Sequence, residues 1–472
     1  MRAMSFKPPL LDIADLIGDP VDPADFPETR IRFRNDRWAR QTGLGGLDDA
    51  TWVRHFARFE PLPDNLPRPL ALRYHGHQFG TYNPQLGDGR GFLFAQVQAE
   101  DGRVLDLGTK GSGQTPWSRQ GDGRLTLKGG VREILASRYL EATGVATSKT
   151  FSVIETGEQL WRGDEPSPTR SAVMVRLQHS HIRFGSFQRL SYLDDTDGIA
   201  ALLAHVADTY YPGTAGLDTD AKACAVLSGV AERTGHTIGQ WMATGFVHGV
   251  MNTDNFNITG ETFDFGPFRF LATSDPNFVA AYFDQTGLYR FGRQPTQGMW
   301  ALQQLASALL PLSTADDLAT ALSTYAPAYQ ASFSRHTLAL LGVSDGPSLD
   351  ADLQFMKDFY GWMTEAEANW QQTFFDWFGG QASQARAATS PQAALYSSEA
   401  FAPIQDQLAA RAPDRPERLD SDYFQASTPV ALPIETIEAI WAPIAEQDDW
   451  GKLDDCLEHI ERARLAYDWD AS

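Results

Sequence analysis

The chain has 472 residues, 42% hydrophobic and 21% charged, with 12 Trp and 28 Phe; it can bury enough apolar surface to outweigh ordering entropy, which excludes a disordered chain and leaves room for two lobes. Its formal net charge of -21 argues against nucleic-acid binding through a general basic surface, although a nucleotide site needs only a few local cations. The two cysteines, Cys224 and Cys456, exclude a disulfide framework and read as buried thiols.

Met1 to Ile13 carries Arg2 and Lys7 but no apolar stretch of the signal-peptide kind. No apolar run reaches the ~18 residues of a membrane span, so a cytoplasmic protein without membrane contact is expected. Residues 1–70 are rich in Pro and Asp, with Phe26, Phe33, Trp38, Trp52 and Phe56 interspersed. They read as an N-terminal extension packing on the body.

From about Ala71 to Val175, short apolar runs suit strands: Phe92–Val97, Val104–Leu107, Phe151–Ile154 and Ala172–Val175. One helix interrupts them, with Val131, Ile134, Leu135 and Leu140 at helical spacing and Gly144 as its stop. After about Arg176 the pattern turns helical, over Ile199–Tyr210, Asp220–Arg233, Thr296–Leu310 and the aromatic-heavy Asp352–Phe378. The Trp and Phe stripe of that last stretch reads as core. Residues 381–432 look looser, and no internal repeat is visible. The expected fold class is α+β, protein-kinase-like and two-lobed. A strand-rich N-lobe with one key helix spans 71–175, and a large, mainly helical C-lobe spans 176–472.

Three sequence elements carry chemistry. Gly87-Asp88-Gly89-Arg90-Gly91 runs into a predicted strand, and alternate glycines let a backbone approach phosphates closely. A plain hairpin turn satisfies the same pattern, but Arg90 puts a fixed cation where an anion would sit. Lys110 ends the apolar strand Val104–Leu107, as the phosphate-holding lysine of kinases does, and Glu133 lies 133−110 = 23 residues on, in the first turns of the predicted helix. Between them, Gly111-Ser112-Gly113 and Gly121-Asp122-Gly123-Arg124 are candidates for further phosphate loops, and no Walker motif is present.

The third element is His248-Gly249-Val250-Met251-Asn252-Thr253-Asp254-Asn255, followed by Asp264-Phe265-Gly266. A kinase catalytic loop reads His-Arg-Asp, four residues, Asn, with a later Asp-Phe-Gly. His248, Asn255 and Asp264 fall in register, but Val250 stands where the catalytic Asp belongs. Asn255 and Asp264 offer the hard oxygens that a divalent cation needs. Asp254, beside Asn255, is the substitute base. These residues alone leave open nucleotide transfer, phosphotransfer with Asp254 as base, and a nucleotide-binding scaffold without turnover. His75-Gly76-His77 and His179-Ser180-His181 lack further ligands for zinc and read as structural hydrogen-bonders.

The run Lys110–Arg119, then Gly121–Arg124, Ser180–Gly185 and Gly249–Asn255, resembles the selenoprotein O (YdiU) family over roughly residues 70–300. The resemblance implies a kinase-like fold that transfers AMP from ATP to Ser, Thr or Tyr hydroxyls of proteins, with ATP flipped and Mg2+ or Mn2+ bound. It implies that Lys110 contacts phosphates and pairs with Glu133. Gly87, Gly89, Arg90, Asp122 and Gly123 would line the nucleotide site, and Arg176 and Arg183 would hold the buried terminal phosphate. Asp254 would act as base, with Asn255 and Asp264 on the metal. Many relatives carry a cysteine or selenocysteine near the extreme C-terminus, whereas this chain ends Trp469-Asp470-Ala471-Ser472, which argues against a redox role.

Overall fold

The computed structural model describes residues 6–163 and 165–469, so the reading of Arg2 and of the final Asp470-Ala471-Ser472 lies outside the described residues. In chain order the first strands are β1 (Gly18–Pro20), β2 (Arg30–Arg34), β3 (Leu70–Leu72), β4 (Gly76–Gln78) and β5 (Thr81–Asn83). After them come β6 (Leu93–Gln98), β7 (Val104–Lys110), β8 (Leu125–Thr126), β9 (Lys149–Leu160) and β10 (Thr169–Gln178). Eight of these form one sheet in the order β1-β3-β6-β7-β10-β9-β2, with β8 on β10, and its paired strands are antiparallel. Residues before 70 therefore supply both ends of that order.

The sheet is covered on both faces, which explains why its strands read as continuous apolar runs. Along β10, Val173, Val175 and Leu177 join Trp52, Phe56, Phe94 and Phe151 in one cluster. Ala172 and Met174, of opposite parity, pack with Leu127, Ile134 and Val153 in another. The helix Leu127–Ala142 supplies that second face. The Thr126 side chain caps it by accepting from Gly129 N, and it closes before Gly144, whose φ of 77° suits a helix stop.

The rest is mainly helical. Thr196–Tyr210, Thr219–Thr244 and Gln294–Leu309 match the expected amphipathic stretches, although the second runs well past the expected Arg233. The Asp352–Phe378 stretch is two helices, Leu349–Glu365 and Trp370–Asp376, parted where Glu367 takes a φ of 48°. Its aromatic stripe is core: Phe355, Phe359, Trp370, Phe375, Trp377 and Phe378 are all nearly inaccessible.

Periodicity gave no sign of where the last two helices go. Ile434–Gln447 and Gly451–Tyr467 pack on the Leu127–Ala142 helix of the strand-rich part. Ile437, Ile440, Ile444, Leu453 and Ile460 share a core with Val131, Leu135 and Tyr139. Ion pairs Lys128–Glu438 (2.7 Å) and Arg138–Glu461 (2.7 Å) flank the contact. The cysteines are free and half-buried, not fully buried, and burial pushes the Cys456 thiol up to about 12. Among the described residues no helix is long and apolar enough to cross a membrane.

Truncating this contact should be costly. Ile460, 1% exposed, lies between the last helix and the sheet-covering helix. Ile460→Ala should lower the unfolding free energy by about 2–4 kcal/mol, read from urea titration. A loss under about 0.5 kcal/mol would mean that the C-terminal helices do not brace the helix that carries Glu133.

Candidate active site

A cleft of about 690 Å³ opens between the Gly87–Gly91 loop, the end of β7, β10, residues 117–124 and the loop that carries Asp254, with Asp264 in its wall. Three segments far apart in sequence meet there around one ammonium group. Lys110 Nζ donates to Glu133 Oε1 at 2.6 Å and to Asp264 Oδ1 at 2.5 Å. Strand β7 delivers the lysine, and the Thr126-capped helix delivers Glu133, which is 2% exposed. Arg176 stands beside both acids, with Nη2 at 3.6 Å from Glu133 Oε1 and 3.4 Å from Asp264 Oδ1. Its β-sheet partner is Gly108, where a Cβ would lie 2.1 Å from the His181 ring.

Asp264 sits at φ 60°, a left-handed conformation that aspartate tolerates better than most residues, and its side chain is 31% exposed. Burial alone would raise its carboxyl. Lys110 first, then Arg176, Arg183 and Arg90, hold it well below the usual carboxylate range. These cations hold Asp264 in its anionic form.

Asp254 has the opposite balance. Burial pushes its carboxyl up to about 6, against the pull of Arg183 and helped by the charge of Asp264. Its Oδ1 is buried without a hydrogen-bond partner. Arg183 organises this corner: Nη1 donates to the Asp254 carbonyl at 2.8 Å, and Nη2 lies 3.3 Å from Asp88 Oδ1. Its guanidinium lies over Tyr74 and Phe263, at 4.5 and 4.9 Å from the ring centroids. Asp88 also accepts from Leu72 N, so the glycine-rich loop is tied through one arginine to the loop of Asp254.

The glycines of the loop answer first to packing. A Cβ on Gly87 would lie 2.4 Å from the Trp117 ring, and one on Gly91 would lie 2.1 Å from the Thr109 carbonyl. Gly123, at φ 70°, has the Gly113 backbone 2.2 Å from its Cβ position. Gly89, Arg90, Asp122 and Gly123 all line the cleft with Gly87, and Asp122 is paired to Arg162 at 2.8 Å. Of the other glycines considered as phosphate loops, Gly121 lines the cleft and Gly111 and Gly113 do not.

His248 accounts for the spacing between the two loops. Its Nε2 lies 3.0 Å from the Phe263 carbonyl and so joins the Asp254 loop to Asp264, while Thr253 Oγ1 bonds Gln188 and the backbone N of His77. Asn255 is not among the residues lining the cleft; its Nδ2 donates to the Val250 carbonyl at 2.9 Å. Asp264 and Asp254 both bring carboxylate oxygens to the cleft wall, the donor type a hard cation takes. Of the histidine pairs, the first makes side-chain hydrogen bonds, His75 Nδ1 to the Tyr82 hydroxyl (2.8 Å) and His77 Nδ1 to the Gln188 amide (3.0 Å), whereas in the second His181 Nδ1 has no hydrogen-bond partner and stands 3.5 Å from Asp106 Oδ2.

Sequence reasoning passed over Arg162 and gave Asp88, Trp117, Arg119 and Arg124, named only within motifs, no role of their own, although all five are on the cleft wall. Asp88 lay in plain view inside the glycine-rich motif. Arg162 carried no signal, because it arrives from the β9–β10 connection.

A family model described as protein adenylyltransferase SelO matches residues 1–461. A protein nucleotidyltransferase YdiU of Synechocystis sp. is 42% identical, covering 97% of this chain and 98% of that protein. One of the same description from Gloeobacter violaceus is 42% identical over 97% of this chain and 95% of its own. Another, from Vibrio cholerae, is 40% identical over 72% and 68%.

Lys110→Met would leave Glu133 buried with Arg176, at 3.6 Å, as its remaining ion-pair partner among the described residues. We expect a loss of about 3 kcal/mol in chemical denaturation. An unchanged midpoint would show that the ammonium is not the link between the two acids.

Proposed function

The chain belongs to the protein adenylyltransferase SelO family, and from that premise we propose that it is an enzyme moving AMP from ATP to Ser, Thr or Tyr hydroxyls of other proteins. The observation that carries the reading is the divergence of two neighbouring carboxyls, Asp254 pushed up to about 6 and Asp264 held far below its usual range. Such a split separates a proton acceptor from a permanent anion. We further propose the cytoplasm as its location, given the strongly acidic chain and its half-buried free thiols.

In this reading Asp254 takes the proton of the acceptor hydroxyl, whose oxygen attacks the α-phosphorus while the bond to the β-phosphate breaks and pyrophosphate leaves. Arg176 and Arg183 hold the terminal phosphates, since a guanidinium matches phosphate oxygens bidentately. Lys110, oriented by Glu133, contacts the phosphates, and Arg90, Asp122, Gly87, Gly89 and Gly123 line the nucleotide's path. Asp264 and Asn255 would hold Mg2+ or Mn2+, which when bound neutralises triphosphate charge. Arg90, Arg176 and Arg183 together exceed the cation count of a phosphotransferase, which supports a deeply seated terminal phosphate.

Two experiments test this. With ATP labelled separately at the α- and γ-phosphate, label should reach protein from the α position only; label from γ would establish phosphotransfer instead, and Asp264→Ala should abolish transfer. The rate should also fall as pH drops through about 6, because Asp254 accepts a proton only when ionised. Asp254→Asn should lose about 10²–10⁴-fold in rate and the pH step with it. A wild-type rate that is flat from pH 5 to about 8 would remove Asp254 from the role of base.

A further inference from the structure

Beside the cleft, a row of aromatic rings faces solvent. Tyr282 is 82% exposed, Phe283 46% and Phe79 38%. The rings form a chain, with centroids 5.1 Å apart from Tyr282 to Phe283, 5.8 Å from Phe283 to Phe79, and 4.9 Å from Phe79 to the buried Tyr289. Exposed apolar side chains scattered singly need no explanation, but contiguous ones mark contact surfaces. No formal charge interrupts this one. Between residues 278 and 287 the only charged residue is Asp284, which is 4% exposed and accepts from the backbone N of Leu288 and Tyr289. The nearest charges along the chain, Asp275 and Arg290, are of opposite sign.

Phe79 holds its ring there at a conformational cost. With Gly80 it makes the two-residue turn that joins β4 to β5, at φ of 49° and 78°. Asn-Gly is the usual solution for a turn with two positive φ values, whereas a phenylalanine at positive φ is disfavoured. The turn is nonetheless fixed. Phe79 N donates to Asn252 Oδ1 at 3.2 Å and to the Tyr289 hydroxyl at 3.1 Å, and that hydroxyl donates to Asn252 Oδ1 at 2.7 Å. Asn252 precedes Asp254 by two residues, and Gln78, next to Phe79, lines the nucleotide cleft. The aromatic ridge therefore begins at the lip of the cleft and is hydrogen-bonded to the loop that carries the proposed base.

A polypeptide that brings a hydroxyl to Asp254 lays its neighbouring residues on the rim of the cleft, and this ridge is an uncharged, apolar stretch of that rim. We propose that Phe79, Tyr282 and Phe283 form the docking surface for the acceptor polypeptide, taking an aromatic or large aliphatic side chain that flanks the modified Ser, Thr or Tyr. The inference rests on the AMP-transfer reading and adds to it the chemistry of the acceptor's flanking residue. Aromatic faces and edges hold such a side chain by buried area and ring contact, and they offer a carboxylate no cation. An acidic residue at that position is further disfavoured by the chain's net charge of -21.

The test gives the full chain short Gly/Ala-based peptides with one central Ser, Thr or Tyr and with Phe or Glu walked through the neighbouring positions. Binding is read by fluorescence anisotropy with a non-hydrolysable ATP analogue and Mg2+ present, and transfer by label from the α-phosphate of ATP. At one flanking position Phe should bind at least about tenfold tighter than Glu. Tyr282→Ser, a change at an exposed ring, should raise Kd and KM for the Phe peptide at least about fivefold while kcat stays within about twofold. Phe79→Asn, which suits the turn, should do the same without lowering the melting temperature. Binding that follows Phe and both variants without any transfer of label would uphold the surface and sink the transfer reading. Transfer that is indifferent to the flanking residue and to both variants would overturn the surface alone. The surface is also overturned if sedimentation shows Tyr282→Ser splitting a dimer while peptide binding is unchanged, since a second copy of the chain would then be its occupant.

Discussion

The structure turns on one buried ammonium. Lys110 Nζ is shared by Glu133 and Asp264, which come from a helix on the sheet and from a loop of the helical part. Pairs of this kind add little net stability, because desolvation consumes most of the Coulomb attraction. Their value is geometric: buried Glu133 tolerates no arrangement that leaves it without its cation, and the half-buried Asp264 is drawn to the same ammonium. The same constraint fixes how sheet and helical part approach each other, and so fixes the cleft.

Around that link the cleft distributes charge unevenly. The chain as a whole is strongly acidic, yet this wall gathers Arg90, Arg119, Arg124, Arg162, Arg176 and Arg183. Such a local reversal concentrates positive potential in the cleft while the chain as a whole is acidic. It also splits the two aspartates. Asp264, close to four cations, is an anion, whereas Asp254, deeper and answered mainly by Arg183, keeps its proton far longer. Identical side chains thus acquire different chemistry from their surroundings alone.

Support for the site comes from distant parts of the chain. The C-terminal helices Ile434–Gln447 and Gly451–Tyr467 brace the Glu133 helix through a continuous apolar core. Asp448, between them, pairs with Arg32 and Arg170 of the sheet. The hairpin of β4 and β5 lies on the loop that carries Asp254, where the Cβ position of Gly76 is 3.2 Å from Asp254 Oδ1, so a larger residue there would press on the proposed base.

By itself the sequence determined what is local or strictly ordered. Strands with apolar runs, a capped helix stopped at Gly144, and the order Lys110, Glu133, His248, Asn255, Asp264 were legible because side-chain period and motif spacing are properties of consecutive residues. The kinase-like, two-part α+β arrangement followed from the same order. Tertiary structure alone decided the rest. No spacing announces that Arg183 bridges Asp88 and Asp254, that Arg162 reaches the cleft from the β9–β10 connection, or that Asn255 lies off the cleft wall with its amide on Val250. The need for glycine at 87 was visible, but its cause, the Trp117 ring, was not. These outcomes depend on which side chains are buried beside which charges, and burial is set by chain segments that sequence distance does not relate.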